Sequence, residues 1–189
     1  MSAISERRER ERAHRHRLIV TAARELAESE GWESVTTRRL AERVEYSQPV
    51  LYSHFNGKDA IVGAVALDGF GELATGLRRA REAVPAPGRA ALRVVCRAYL
   101  AFATERPALY QAMFILPTDL AFASTETPDS MQDCFEQFVS CFPAGADRRE
   151  ISAEVTWSAL HGIVVLSESG RIPPDVREER LDVLITRMA

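Results

Sequence analysis

Residues 36–59 constrain the fold of this 189-residue chain more than any other segment. Apolar side chains at helical spacing predict two short amphipathic helices, about 37–44 and 48–55, joined by the three-residue turn Glu45-Tyr46-Ser47. Two helices that meet at so short a turn are typical of a helix-turn-helix, in which the second helix enters the major groove of DNA and the first braces it across the backbone. The segment therefore predicts a DNA reader near the start of the chain.

Local residue choices support both of these helices. Thr36 and Ser47 are side chains of the kind that cap helix N-termini. Pro49 falls in the first turn of the second helix, where its missing N–H costs little. Leu51 and Phe55 are expected to anchor that helix to a small core.

The remaining chain also has a helical pattern. A single apolar stripe predicts a first helix at about 14–30, ended by Gly31, and a long fourth helix is predicted at about 58–82. After the proline-rich break at 84–88, further helices are predicted at about 90–105, 107–116, 129–141, 147–169 and 175–188. No convincing strand pattern is present, so the predicted fold class is all-α, with about nine helices.

Three parts are predicted along the chain: a flexible arm of mixed charge at 1–12, the helix-turn-helix domain at 13–58, and a helical effector-binding and dimerisation domain at 59–189. Lys and Arg exceed Asp and Glu by eleven to nine up to residue 58, but number thirteen against eighteen beyond it. Only the N-terminal end therefore has a cationic bias that favours DNA.

The predicted arm is open to two interpretations, because it has almost no apolar side chains. It is either a solvated tail or a basic arm that follows DNA phosphates through Arg7, Arg8, Arg10 and Arg12. The interspersed glutamates weaken the second interpretation.

Composition also indicates a compartment. Three cysteines, an odd number without CxxC spacing, predict buried thiols in a reducing cytoplasm. The N-terminus lacks the apolar region of a secretory signal, and unbroken apolar runs such as 162–166 are far too short to span a bilayer. We therefore expect a cytoplasmic protein with no membrane partner and no cofactor.

From about residue 18 to 65 the sequence resembles the TetR family of bacterial transcriptional regulators. The resemblance is carried by the apolar first helix ending in Gly31, and then by Thr36-Thr37, Leu40-Ala41, Ser47, Leu51-Tyr52, His54-Phe55 and Lys58-Asp59. A shorter segment, Trp157-Ser-Ala-Leu-His161-Gly162, is similar to the C-terminal domain of one TetR subgroup with a Trp-x-x-x-His-Gly segment. The resemblance implies a DNA-binding domain followed by a divergent helical domain that binds a ligand and forms a homodimer.

Two residues depart from the family pattern. Glu45 stands where the family often has a glycine, at a turn position that commonly needs a left-handed backbone, and a non-glycine residue there costs about 1 kcal/mol. Gly57 stands where a serine often caps the fourth helix, and glycine is an acceptable but weaker cap.

The second helix of the predicted reader offers side chains suited to base edges. Gln48 fits a bidentate contact with adenine, and Pro49 and Val50 fit apolar contact with a thymine methyl. Ser53 and His54 are adaptable hydrogen-bonding groups near the groove. Val50 and His54 each have a structural alternative, the first as a core anchor and the second in core packing or a structural hydrogen bond.

Four further residues are predicted to contact the DNA backbone. By resemblance, Tyr52 places its hydroxyl on one phosphate and Lys58 neutralises another at a helix N-terminus. Thr37 and Arg38, at the start of the bracing helix, are placed to hold the opposite backbone. The partner predicted for this surface is double-stranded DNA with a palindromic operator.

A dimer is expected because one short helix reads few base pairs, and two readers on a two-fold site read more. The last two helices form the predicted dimer interface through apolar residues, each of which has burial within one subunit as its alternative. The predicted interface residues are Val155, Ala159, Gly162, Ile163, Leu166, Leu181, Leu184 and Ile185.

Aromatic and sulfur side chains concentrate in the C-terminal part and predict a pocket for an unidentified small, mostly apolar effector. The alternative is an ordinary packed core with a satisfied histidine. The candidate lining residues are Tyr99, Phe102, Tyr110, Met113, Phe114, Phe135, Phe138, Trp157 and His161.

Other classes of function are less well supported. The four histidines are scattered, and no HExxH motif, paired-carboxylate set or nucleophile elbow appears, so we expect no enzyme. A helical small-molecule sensor or scaffold without DNA binding remains the alternative to a regulator. Repression is preferred to activation, because a small dimer can simply occlude a promoter.

Overall fold

The computed structural model describes residues 3–122 and 124–188, and this part of the chain contains nine α-helices, one short 3-10 helix at Trp32–Ser34 and no strand. The predicted all-α fold is confirmed. The helices are α1 (Ala3–Glu30), α2 (Thr37–Arg43), α3 (Gln48–Tyr52), α4 (Lys58–Glu82), α5 (Arg89–Glu105), α6 (Pro107–Phe114), α7 (Asp129–Val139), α8 (Arg149–Glu168) and α9 (Arg177–Met188).

These helices form two compact units. The first unit comprises the chain up to Gly69 together with Arg106–Ala121, and the second comprises Phe70–Glu105 together with the chain from Phe122 onward. The division therefore falls inside α4 rather than between residues 58 and 59, where the sequence analysis placed it. It also assigns α6 to the same unit as the predicted reader.

Three contacts explain why α6 belongs to the first unit. The Glu28 carboxylate of α1 accepts hydrogen bonds from the backbone N–H groups of Ala108 (3.3 Å) and Leu109 (3.0 Å). These N–H groups have no partner within their own helix because they lie in its first turn. The Trp32 indole donates to the Ala108 carbonyl oxygen at 2.7 Å. Gly69 then lets α4 approach α6, because a Cβ there would lie 2.6 Å from the Met113 sulfur.

The helix α1 is longer than predicted. It begins at Ala3 rather than at about His14, so the prediction of a flexible, unstructured arm is wrong for residues 3–12, and residues 1 and 2 lie outside the described part. Arg7 and Glu11 form an i,i+4 ion pair at 2.9 Å. Such pairs and good helix formers support the N-terminal extension of α1, which has little apolar surface of its own.

The second unit is built around α5. One side of α9 packs on it, and Leu181 and Ile185 are fully buried there. On the surface, Arg97 pairs with Glu178 at 2.6 Å and so links the same two helices.

The three cysteines are free thiols and are all buried, as predicted. Burial raises the pKa of each of them to about 12. A thiol with so high a pKa is almost entirely protonated near neutral pH and is a poor nucleophile.

Among the described residues, α4 is the one helix that is long and apolar enough to cross a bilayer by length and composition. Its apolar residues are interrupted by Gly and charged residues, so it does not appear as one unbroken apolar run in the sequence. Half of the apolar window is buried inside the protein, and core helices of soluble proteins meet the same criteria.

Candidate nucleic-acid interface

The bracing helix α2 is held by its cap and by ion pairs to α1. The Thr36 hydroxyl accepts a hydrogen bond from the Arg39 N–H at 3.2 Å, which confirms the predicted N-cap. The Arg39 guanidinium makes two hydrogen bonds of 2.9 Å to the Glu30 carboxylate. Arg43 pairs with Glu25 at 3.0 Å. These contacts occupy Arg39 and Arg43 and fix the orientation of α2 against α1.

The turn between α2 and α3 has the backbone that the sequence predicted. Glu45 has a φ of 56°, in the left-handed region, where a side chain is strained and glycine is not. The Tyr46 N–H donates to the Ala41 carbonyl at 3.0 Å and closes the turn. The strain at Glu45 is therefore present in this chain.

The helix α3 is shorter than predicted, from Gln48 to Tyr52, and Ser47 stands at its N-cap position without a side-chain capping bond. The predicted capping by the Ser47 hydroxyl is therefore wrong. Leu51 is the buried residue of α3, and Phe55 is buried just after the helix, as expected for core anchors. Pro49 in the first turn pre-sets the helical backbone.

The outer surface of α3 is polar and exposed. Gln48, Pro49 and Ser53 are exposed, and the Tyr52 side chain is 56% exposed. Val50 is half-buried, which lies between its two predicted positions. The structure thus places Gln48, Pro49, Tyr52 and Ser53 together on the exposed side of α3 and its C-cap, with Leu51 buried on the opposite side.

Two of the predicted phosphate contacts lie at the start of α2. Thr37 is half-buried, whereas Arg38 is exposed and pairs with Glu42 at 3.0 Å. An exposed pair of this kind contributes at most about 1 kcal/mol, so Arg38 can exchange it for another anion.

Lys58 has a structural contact that the sequence analysis missed. Its ammonium group is half-buried and donates to the Trp32 carbonyl oxygen at 2.6 Å. Because an ammonium group has three donors, this bond leaves two for other acceptors. No sequence signal for the bond was available, since the two residues are 26 positions apart.

His54 is half-buried just after α3, and the His16 and Phe55 rings lie beside each other, with centroids 4.6 Å apart. Burial lowers the pKa of His54, and the nearby charges of Arg12, Arg15 and His16 lower it further. Its Nδ1 atom is buried and has no hydrogen-bond partner among the described residues. His54 therefore combines partial burial with cationic surroundings.

The predicted effector-pocket residues belong to both units. In the second unit, the Trp157 indole donates to the Tyr99 hydroxyl at 3.2 Å, and the Tyr99 and Phe138 rings meet edge to face with centroids 5.8 Å apart. Phe102, Phe135 and His161 are half-buried in that unit, and burial lowers the pKa of His161. Tyr110, Met113 and Phe114 belong to α6 of the first unit.

The predicted dimer residues differ in exposure. Leu181 and Ile185 are 0% exposed within the single chain, so they cannot meet a second subunit, and their assignment to the interface is wrong. The alternative of burial within one subunit holds for them, because they lie on the side of α9 that packs against α5 and α8. Ala159, Gly162, Ile163 and Leu184 are half-buried.

An apolar stripe along α8 is exposed in the single chain. Ile151, Val155 and Leu166 are 54%, 49% and 40% exposed. Their spacing of four and eleven residues places them on one side of the helix. Ile151 lies one turn before Val155 and extends the predicted interface toward the start of α8.

Within residues 3–122 and 124–188, no group of three or more His, Cys, Asp or Glu side chains is arranged to hold a metal ion. The first unit thus presents a polar helix surface with basic neighbours, and the second unit presents an apolar stripe.

Comparisons with known proteins link this arrangement to one family. Residues 92–188 match the model of the tetracyclin repressor-like C-terminal domain, and residues 19–65 match the model of the tetR family of bacterial regulatory proteins. YobS of Bacillus subtilis, an uncharacterized HTH-type transcriptional regulator, is 32% identical over 99 residues, which cover 52% of this chain and 51% of YobS. The chain thus spans about half the length of this relative.

Longer matches are found at lower identity. An uncharacterized HTH-type transcriptional regulator of Mycobacterium tuberculosis is 28% identical over 158 residues, covering 80% of this chain and 69% of the relative. Among solved structures, a protein of unknown function from Rhodococcus sp. RHA1 has a TM-score of 0.73 at 22% identity, with 92% of each chain covered. A TetR variant from Acinetobacter baumannii AYE, solved with minocycline, has a TM-score of 0.64 at 22% identity, covering 89% of this chain and 92% of that one. One family model matches the N-terminal helix-turn-helix region, and a second matches just over half of the chain. This chain therefore belongs to the TetR family of bacterial transcriptional regulators.

Proposed function

We propose that this protein is a transcriptional repressor that binds a palindromic operator as a homodimer and is released by a small, mostly apolar effector. The observation that carries the proposal is the surface of α3, where Gln48, Tyr52 and Ser53 are exposed while Leu51 is buried below them. A helix held in this way presents side chains to a groove without losing its own anchorage.

Each predicted base-contacting side chain has a role in this proposal. Gln48 reads an adenine through two hydrogen bonds, and Pro49 and Val50 contact a thymine methyl. Ser53 and His54 add hydrogen bonds near the bases.

The backbone contacts flank these base contacts. Tyr52 and Lys58 hold phosphates on one side, and Thr37 and Arg38 hold the opposite strand. Arg38 gives up its exposed pair with Glu42 to do so.

A homodimer supplies the second reader. Ile151, Val155 and Leu166 are exposed along α8, and a second copy of the same stripe is an apolar surface that matches it. Two readers at about 34–36 Å, or a related spacing, then meet two half-sites of the operator.

Effector binding is proposed for the second unit. Phe102, Phe135, Trp157 and His161 are half-buried there and combine apolar surface with a few polar atoms, as ligand sites do. A structure of similar fold was solved in complex with minocycline, which supports a small-molecule effector. The helix α4 contributes residues to both units and is our candidate for the element that transmits effector binding to the reader. We place the protein in the cytoplasm, where bacterial operators are found.

The test is a selection of purified protein against a randomised DNA library, followed by binding measurements across a salt series. We expect a palindromic site that is bound by a dimer and lost in the Gln48→Ala/Tyr52→Ala variant. Weak, sequence-indifferent binding by well-folded protein would overturn the proposal and favour a sensor or scaffold without DNA binding.

A further inference from the structure

The N-terminal turns of α1 carry three arginines on one side. Arg8, Arg12 and Arg15 are spaced i, i+4 and i+7, so their side chains lie along one face of the helix. Four residues beyond Arg15, the same face reaches Ile19, which is completely buried in the first unit. The arginines therefore continue the inward face of α1 beyond the point where the core ends. We call these three residues the α1 arginine face.

The charge of this face is only partly neutralised. In the described part of the chain, Arg8 and Arg12 have no carboxylate within ion-pair distance. Arg15 lies 3.6 Å from the Glu11 carboxylate, which also pairs with Arg7 at 2.9 Å. Glu6 lies nearest to Arg10 instead. The two unpaired guanidinium groups are exposed and available to an anion.

The location of the face adds to its significance. Arg12 and Arg15 are close enough to His54 to lower its pKa, and His16 contacts the Phe55 ring. His54 and Phe55 lie just after α3, the proposed reading helix, which ends at Tyr52. The end of the arginine face at Arg12 and Arg15 therefore lies near the residues that follow α3, and Arg8 lies one turn further along the same face.

We propose that the α1 arginine face binds backbone phosphates of the operator beside the base pairs that α3 reads. This inference rests on the proposed DNA-binding function and extends it to residues that lie outside the helix-turn-helix. Guanidinium groups bind phosphate oxygens in a fork geometry. An ordered helix also holds them at a fixed spacing, which a flexible tail does not. The contacts position the reader and carry no sequence information.

The same helix supplies a matched control. Arg10 and Arg17 are exposed, are seven residues apart, and lie on the side of α1 opposite to Arg8 and Arg12. The variants Arg8→Gln/Arg12→Gln and Arg10→Gln/Arg17→Gln remove the same charge from the same helix, and glutamine preserves helix propensity. Circular dichroism of both variants checks that α1 remains helical.

The measurements are operator affinity across a salt series and phosphate-ethylation interference on the selected operator. We expect the face variant to lose about two units of the slope of log affinity against log salt, so between about 50 and 200 mM salt the wild-type affinity falls about tenfold more than that of the variant. Ethylation of the flanking phosphates should weaken the wild type and no longer affect the face variant. The control variant should retain the wild-type interference pattern.

The possible outcomes separate this inference from the function on which it rests. Equal losses in both variants, with unchanged interference, would show a general charge effect and overturn the phosphate site. The same holds if neither variant differs from the wild type on an operator that the wild type binds. If the wild type selects no operator at all, the proposed function itself fails.

Discussion

The helices α3 and α8 both present a surface that nothing covers in the single chain, but the two surfaces differ in chemistry. The exposed side chains of α3 and its C-cap include Gln48, Tyr52 and Ser53, whereas the exposed stripe of α8 consists of Ile151, Val155 and Leu166. A polar surface remains hydrated at little cost and exchanges water for another polar partner. An apolar surface becomes more stable only when another apolar surface removes it from water. The difference supports the proposal that α3 binds DNA and that α8 binds a second protein surface.

A charge placed in the α8 stripe should have the largest effect. In Val155→Glu, the carboxylate would be buried at the proposed dimer interface without a partner, which costs at least about 3 kcal/mol. We expect dimers to dissociate in analytical ultracentrifugation, and operator affinity to fall with them. Ala101→Glu adds the same charge at an exposed position of α5 and should leave the dimer intact. If the Val155→Glu protein remains dimeric, the α8 stripe is not part of the dimer interface.

The opposite profile is expected for the polar surface of α3. Gln48→Ala removes an exposed side chain, so the free energy of unfolding should change by no more than about 0.5 kcal/mol. Operator binding should weaken by about 1–3 kcal/mol if Gln48 reads a base. Leu51→Ala, one turn away and buried, should instead lower the free energy of unfolding by about 2–5 kcal/mol. Denaturant unfolding and operator titration of both variants check the contrast, and a destabilised Gln48→Ala protein would contradict it.

Protonation of His54 should affect stability and DNA binding in opposite directions. Burial, together with Arg12, Arg15 and His16, lowers the pKa of His54 in the folded protein, so between this value and the ordinary pKa of 6.5 the unfolded chain binds more protons. The free energy of unfolding should therefore fall as the pH drops below about 6.5. A phosphate beside His54 stabilises the imidazolium form, so operator affinity should rise over the same range.

The variant His54→Gln tests both directions together. Its free energy of unfolding should depend less on pH, with the remaining dependence including His161, whose pKa is also lowered by burial. Its operator affinity should lose the rise at low pH. Urea unfolding and operator titration at several values between pH 5 and 8 measure the two effects. An operator affinity that rises equally in wild type and variant would exclude His54 as the group responsible.

The reader could be predicted from sequence because its determinants are local. The Thr36 cap, the left-handed Glu45 and the buried Leu51 all act within a segment of about 20 residues, where spacing alone specifies which atoms meet. The cap predicted at Ser47 is wrong for a finer reason: the residue type suits a cap, but the side chain does not make the bond.

Long-range packing accounts for the larger errors. Helical periodicity identified Leu181 and Ile185 as an apolar side of α9, but it does not specify whether α5 or a second subunit covers that side. The carboxylate of Glu28 binds N–H groups about 80 residues away, a contact that no spacing rule predicts. The effector-pocket residues stay a prediction for the same reason, since aromatic content alone does not distinguish a pocket from a core.

The smallest expected effect concerns the turn that aims α3. Glu45 has a φ of 56°, and its replacement by glycine relieves backbone strain while making the unfolded chain more flexible. We expect Glu45→Gly to raise the free energy of unfolding by up to about 1 kcal/mol, because the strain of a left-handed backbone is about 1–2 kcal/mol. Glu42→Gly, inside α2, should lower it by about 1 kcal/mol, since glycine is a poor helix former. Thermal unfolding of the two variants measures the opposite signs. If Glu45→Gly were destabilised to the same extent as Glu42→Gly, the left-handed backbone at Glu45 would cost the folded protein no free energy. The orientation of α3 would then not depend on a strained turn.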